Sequence, residues 1–330
     1  MAKANLRKLN KTRKIKRNAS GKKGVQFKAL WLFAIVGFLV LLEVAFFIKN
    51  QMAVPKQYPM QIVSSFSGDA QSCGVFHAWD LTAGKDFIAV SDQSNNRILI
   101  FNLQGIFQKQ ITQKDAGAPD FKELSGITSD AQDHVYVIDT WNGMVRGFDL
   151  NGHPIVKASL QGSYGPRGVA WDNGVFMVGD TGTHRVVKLG MDGTTLNAWG
   201  KQGSGQVMFY NPTLVAVDSE GFIYVADTDN HRVQCLDPQG HFVRNYEVGV
   251  TVGNVAVNSE GQVFASTSNG DFCKVFEKNG KLLGILGDAD KKGQPITGLK
   301  ALAFLPDGDL LASQGPQILV LHAVPPNQVH

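Results

Sequence analysis

Residues Pro212 to Tyr246 read PTLVAVDSEGFIYVADTDNHRVQCLDPQGHFVRNY. Four short runs, LVAV, FIYVAD, RVQCL and HFVRNY, are rich in β-branched and aromatic residues, and the clusters DSEG and DPQG stand between them. Runs of that length bounded by Asp, Ser, Pro and Gly read as strands joined by tight turns. The stretch is therefore a unit of four short strands with no room for a helix.

Working outward, related segments begin at Val75, Leu124, Pro166, Val252 and Leu299, with turn clusters such as NSEG, LNG and PDG. Asp92, Asp139, Asp180 and Asp227 end the second strand of successive units, and Thr267 and Gln314 take that place in the last two. These markers lie 40 to 47 residues apart. That period suits a four-stranded propeller blade. Six repeats predict an all-β, six-bladed β-propeller. The sixth repeat supplies three strands before running into Pro325 and Pro326, and the alternating stretch Tyr58 to Phe66, YPMQIVSSF, is expected to supply its outer strand. Closure by the N-terminal strand removes a sheet edge that otherwise invites aggregation.

The repeat resembles that of the NHL-repeat family, most closely through the triplet Asn230, His231, Arg232 and the strand end Tyr224 to Thr228. The resemblance covers about residues 60 to 321 and fades in the last two repeats. It implies a six-bladed propeller and a binding role, and it names no ligand.

Composition splits the chain. Met1 to Lys28 carries 11 Lys or Arg and no acid, which leaves 21 basic and 28 acidic residues for the rest. Nucleic-acid binding is therefore not expected of the propeller, despite a net charge of +4. The run Ala29 to Ile48 is 20 residues of almost unbroken apolar character, about the length needed to cross a bilayer. With the positive charge before it, the sequence predicts a basic cytoplasmic tail over 1–28, a transmembrane signal anchor over 29–48 in contact with lipid, and a linker over 49–57. An extracytoplasmic propeller over 58–324 follows, periplasmic in a bacterium, and then a short tail over 325–330. Three cysteines, Cys73, Cys235 and Cys273, are too few and too scattered for a disulfide framework.

The candidate functional residues fall into two sets. Asp92 with Arg97, Asp180 with Arg185, and Asp227 with Arg232 each stand five apart across the turn between second and third strands, where a carboxylate holding a guanidinium fixes the turn. Met144 takes the arginine position in the second repeat, with Arg146 two residues on. His184 and His231 share one repeat position and read as turn caps.

The second set is the ring of residues that open the innermost strands, counted back from the markers as Ala78, Ser125, Arg167, Thr213, Gly253 and Lys300. This ring holds no His or carboxylate, so no metal, cofactor or catalytic group is assigned. Asp288 and Asp290 start like a calcium loop, but Lys292 and Leu299 stand where ligands belong. Arg167 and Lys300 are expected to face one another across the channel mouth beside Ser125 and Thr213, as a place to capture an acidic feature of a protein partner. The sequence thus favours a membrane-anchored binding or scaffold propeller in a cell-envelope complex. The alternative is a hydrolase or lyase of lactonase-like or amidating-lyase-like kind that uses a channel-bound metal.

Overall fold

The structure is a computed structural model that describes residues 57–68, 72–288 and 294–324. Contacts divide the chain into two compact units, residues 1–55 and 56–330, and only the second contains described residues.

The first strand, β1 (Gln57–Ser67), is followed by four separate four-stranded antiparallel sheets. These are β2 (Ala78–Ala83), β3 (Phe87–Asp92), β4 (Arg97–Asn102) and β5 (Phe107–Ile111), then β6 (Leu124–Ser129), β7 (Val135–Asp139), β8 (Met144–Phe148) and β9 (Pro154–Ser159). The third comprises β10 (Gly168–Asp172), β11 (Val175–Asp180), β12 (Arg185–Gly190) and β13 (Thr195–Trp199). The fourth comprises β14 (Pro212–Val217), β15 (Ile223–Asp227), β16 (Arg232–Leu236) and β17 (Phe242–Glu247).

The remaining strands share one nine-stranded sheet: β18 (Val252–Val257), β19 (Val263–Thr267), β20 (Cys273–Phe276), β21 (Leu282–Asp288), β22 (Gln294–Pro295), β23 (Leu299–Phe304), β24 (Leu310–Gln314) and β25 (Gln317–Ala323), together with β1. The fusion has a specific cause. β1 runs antiparallel to β25, with Ile62 opposite Leu321 and Phe66 opposite Ile318. Its first residues also run parallel to β21, with Gln57 opposite Ile285 and Tyr58 opposite Leu286. The N-terminal strand thus bonds on both sides.

Burial explains the strand sequences. Second strands are sandwiched between neighbouring sheets, so β3, β7 and β15 are buried at every residue and read as continuous apolar runs. Outermost strands face water, and β13 is exposed at its first four residues. Apolar clusters fill the gaps between successive sheets. Phe87, Ile98, Leu124 and Val135 pack β3 and β4 against β6 and β7, while Phe76 and Leu81 meet Ala301, Leu311 and Ile318, so that the first four-stranded sheet packs on β23–β25. The sheets therefore surround a central channel as a β-propeller.

One expectation is corrected. Among the described residues no helix is long and apolar enough to cross a membrane; the apolar runs there are spent in strands, and the longest helix is the four-residue turn Gln113–Ala116. The single-pass membrane placement with an extracytoplasmic propeller therefore does not stand. Residues 1–56, which include the expected tail, anchor and nearly all of the linker, lie outside the described residues, as do 289–293 and 325–330.

Candidate functional site: the channel mouth

The mouth is built from the turns between second and third strands. Each of the first four sheets crosses there through a three-residue 3-10 turn that ends on a left-handed residue: Asn96, Gly143, His184 and His231, at φ of 47°, 61°, 57° and 61°. Asn, Gly and His tolerate that conformation better than most residues. This backbone demand accounts for the repeated histidine position, and His184 Nδ1 also accepts from the backbone N–H of Asn211 at 3.1 Å.

Just inside each turn stands a fully buried aspartate. Arg97 Nε donates to Asp92 Oδ2 at 2.8 Å, Arg185 Nε to Asp180 Oδ2 at 3.0 Å, and Arg232 Nε to Asp227 Oδ2 at 2.9 Å. In the sheet β6–β9, Arg146 reaches Asp139 at a longer 3.5 Å and lies 4.7 Å over the Phe121 ring. The other carboxylate oxygen takes a backbone N–H of the incoming loop: Lys122 to Asp139 at 2.8 Å, Tyr164 to Asp180 at 3.0 Å and Tyr210 to Asp227 at 2.8 Å. One buried charge thereby joins a turn, a guanidinium and the connection from the preceding sheet, and charge-assisted bonds of this kind are the strong ones.

Ala78 and Trp79 both line the mouth, and the strand register decides which of them is equivalent to the residues of the other sheets. Ala78 pairs with Asp92, as Leu124 pairs with Asp139, Pro212 with Asp227, Val252 with Thr267 and Leu299 with Gln314. The next residues are therefore equivalent, and Trp79, not Ala78, stands with Ser125, Thr213, Gly253 and Lys300. In each of these strands the register shifts at this point. A β-bulge frees a residue from the ladder and re-aims its side chain.

A cavity of about 370 Å³ opens at the mouth, lined by Trp79, Thr213, Gly253 and Lys300 among others. Trp79 Nε1 is buried there without a hydrogen-bond partner. Lys300 is exposed, and no ion pair engages it among the described residues. Thr213 Oγ1 lies 2.7 Å from Thr228 Oγ1. Arg167 and Ser125 do not line the cavity. Arg167 Nη1 pairs with Glu123 at 3.0 Å, and its guanidinium lies 5.1 Å over the Trp79 ring. Ser125 is fully buried, with its hydroxyl 2.9 Å from Thr140 Oγ1. Glu123 is the hub of this side of the rim, since Trp141 Nε1 donates to its Oε2 at 2.8 Å.

Below the mouth, the following residue of each innermost strand forms the waist of the channel: Asp80, Gly126, Gly168, Leu214, Asn254 and Ala301. Backbones crowd here. A Cβ on Gly126 would meet the Arg167 carbonyl oxygen at 2.5 Å, and one on Gly168 would meet that of Thr213 at 2.3 Å. Asp80 is buried, its Oδ2 accepting from Ile127 N–H at 3.1 Å and its Oδ1 from Asn254 Nδ2 at 2.9 Å. Burial without a counter-charge pushes its carboxyl up to about 7, against the lowering effect of these hydrogen bonds. Sequence counting missed Asp80. The available signal was a lone carboxylate inside AWDLTA, at a strand position that is neutral in every other repeat.

Among the described residues no three His, Cys, Asp or Glu side chains gather in an arrangement that holds a metal ion. The three cysteines are buried and unpaired. Burial raises the Cys235 thiol to about 12 and moves Cys73 and Cys273 upward as well, which removes thiolate character.

Comparison with known proteins agrees with this architecture. Residues 209–236 match the NHL repeat, and residues 72–163 match a family described as a 6-bladed beta-propeller. The mouse E3 ubiquitin-protein ligase TRIM71 is 29% identical over 124 residues, which is 38% of this chain and 13% of that protein. The chain thus spans about an eighth of that relative's length. Among solved structures, a streptogramin B lyase superposes with a TM-score of 0.59 at 12% identity, over 79% of this chain and 97% of that one. A catalytically inactive virginiamycin B lyase from Staphylococcus aureus, solved with quinupristin, superposes at 0.55 and 10% identity, over 74% and 80%. Identities this low speak for the fold alone. The four-stranded sheets and the matched segments make this chain a β-propeller protein, with residues 209–236 similar to the NHL repeat.

Proposed function

We propose that residues 58–324 form a six-bladed propeller, with β1 as the outer strand of the last blade, and that it serves as a protein-binding module in a larger assembly. The observation that carries this reading is the mouth cavity, which is lined by Trp79, whose Nε1 lies buried without an acceptor, and by Lys300, whose ammonium has no ion-pair partner among the described residues. Both are donors, and the ligand they suit is a carboxylate, either a chain terminus or an acidic side chain of a partner. Arg167 is held against Glu123 and Trp79, so its role is to brace the indole. Thr213 adds a hydroxyl to the wall, and Ser125 supports the rim from within. The buried aspartates and their arginines, Asp92 with Arg97, Asp180 with Arg185 and Asp227 with Arg232, keep the mouth rigid, which lowers the ordering cost of binding.

The alternative of a propeller lyase or hydrolase draws on the shape shared with the streptogramin lyases, and among the described residues no cluster of His, Cys, Asp or Glu that could hold a metal adds to it.

Fluorescence anisotropy with a library of short peptides, each made with a free C-terminal carboxylate and as the amide, tests the reading. Carboxylate peptides should bind tighter, and Lys300→Ala should weaken them roughly ten- to a hundredfold, the loss expected for one charge-assisted contact. Equal binding of acid and amide forms, or an unchanged affinity in a Trp79→Phe, Lys300→Ala double variant, rejects it.

A further inference from the structure

A second cavity, of about 250 Å³, lies farther along the innermost strands. Where the mouth is lined by residues 77–79 of the first sheet, this cavity is lined by residues 80–83, so it opens at the other end of the channel. Asn254 and Leu214 line both. The hydrogen bond from Asn254 to Asp80 therefore stands between them and ties together strands 174 residues apart in sequence.

Asp80 is the single charged residue lining the second cavity. Its carboxylate accepts from the Ile127 amide and the Asn254 side chain, both neutral, and no cationic side chain pairs with it among the described residues. A buried carboxylate left without a counter-charge is costly, and the cost falls when a cation enters beside it. The remaining walls are apolar residues, Thr82 and Thr128, and the aromatic rings of Trp171 and Phe304. Carboxylate plus aromatic wall is a setting that favours an organic cation.

We infer that this cavity binds a small monocationic amine, its ammonium group paired with the Asp80 carboxylate. A divalent metal fits poorly, since calcium takes six to eight oxygen ligands and usually several carboxylates, whereas here one carboxylate stands beside an amide NH₂ group. The volume lies below the roughly 300–1,000 Å³ of pockets for drug-sized ligands, which sets the ligand at a few heavy atoms. The site is separate from the proposed carboxylate-binding mouth, and neither depends on the other.

The groups facing the carboxyl are the Ile127 and Leu81 backbones and the Asn254 amide; from β3, the Ser91 hydroxyl instead bonds the Asp80 backbone. None of these titrates. Binding should therefore follow the ionisation of Asp80 itself, with a midpoint at about 7.

Calorimetric titration of the full chain with n-butylammonium is the test. One saturable site is expected at about pH 8, with affinity about tenfold weaker at about pH 6, the ratio of ionised Asp80 at the two values. Asp80→Asn should abolish binding and Trp171→Leu should weaken it severalfold. Absence of saturation at millimolar amine, equal affinity at both pH values, or full binding by Asp80→Asn overturns the inference. Calcium competing for the same site at lower concentration also overturns it, because the ligand would then be a metal. The pH comparison uses the unaltered protein and decides the matter even where a substitution fails to fold.

Discussion

Arg232 donates to Asp227 at 2.9 Å from a position almost as buried as the carboxylate it holds, with side-chain exposures of 11% and 0%. Arg185, in the equivalent pair with Asp180, is 28% exposed. Removing one partner of a buried pair strands the other charge, at a cost of about 3–5 kcal/mol. Asn230, Gln234 and the Tyr210 amide also donate to Asp227, so Arg232→Ala should fall at the lower end of that range, and the more solvated Arg185→Ala should cost less. Urea unfolding of both variants checks the order, and equal losses would show that burial does not set the strength of these pairs.

The N-terminal strand makes its own prediction. β1 places Met60 in the core at 2% exposure and packs Tyr58 edge-on against Phe264. A chain starting at residue 70 should lose on the order of 5 kcal/mol relative to one starting at 55, from the burial of these side chains with Ile62 and Phe66. It should also aggregate through the bared edge of β25. Denaturant midpoints and light scattering of the two chains measure this, and equal values would remove β1 from the fold's support.

Asp80 gives stability a pH dependence of definite sign. Its folded pKa of about 7 lies above the usual 3.8, so the native state holds the proton more tightly than the unfolded chain. The stability this contributes is fully present below about pH 4 and is lost as pH rises toward 7 and slightly beyond. The full loss is about 4 kcal/mol. Asp80→Asn should flatten this slope and be the more stable protein at about pH 8, as read from unfolding free energies across the range. A slope unchanged by the substitution would assign the dependence to other groups.

The thiols should be inert in the native state. With all three cysteines buried and their pKa values raised, alkylation at about pH 8 should proceed only through unfolding. Cys73, at 8% exposure, should be the first to react. Mass spectrometry after timed iodoacetamide treatment reads this directly, and rapid labelling of Cys235 or Cys273 would contradict it.

What the sequence disclosed follows the range of the interactions. The aspartate–arginine turns were legible because both partners lie within five residues and recur in several repeats. The mouth was legible only to within a residue, since the register shift between Ala78 and Asp80 moves Trp79 into the position that simple counting gave to Ala78. Arg167 is expected from the sequence to face Lys300 across the mouth, and its pairing with Glu123 was not legible because Glu123 belongs to the preceding sheet. Asp80 was hidden for the same reason. Its significance depends on Asn254, which nothing in the local sequence brings near. The apolar run at 29–48 shows the opposite failing, a strong local pattern that predicted a membrane placement the described residues do not support.

The bond between the first strand and the last also sets a clock. On the ribosome, β1 emerges early, yet β25, its antiparallel neighbour, follows roughly 250 residues later, which at about 5–20 residues per second is a delay of roughly 13–50 s. Throughout that interval β1 has no place to dock, for β21 is also made late. A strand so long without its neighbours is an open invitation to a second nascent chain. Exchange of β1 between two copies is therefore the characteristic accident of this topology, and its frequency should rise where translation slows between the two ends of the ring.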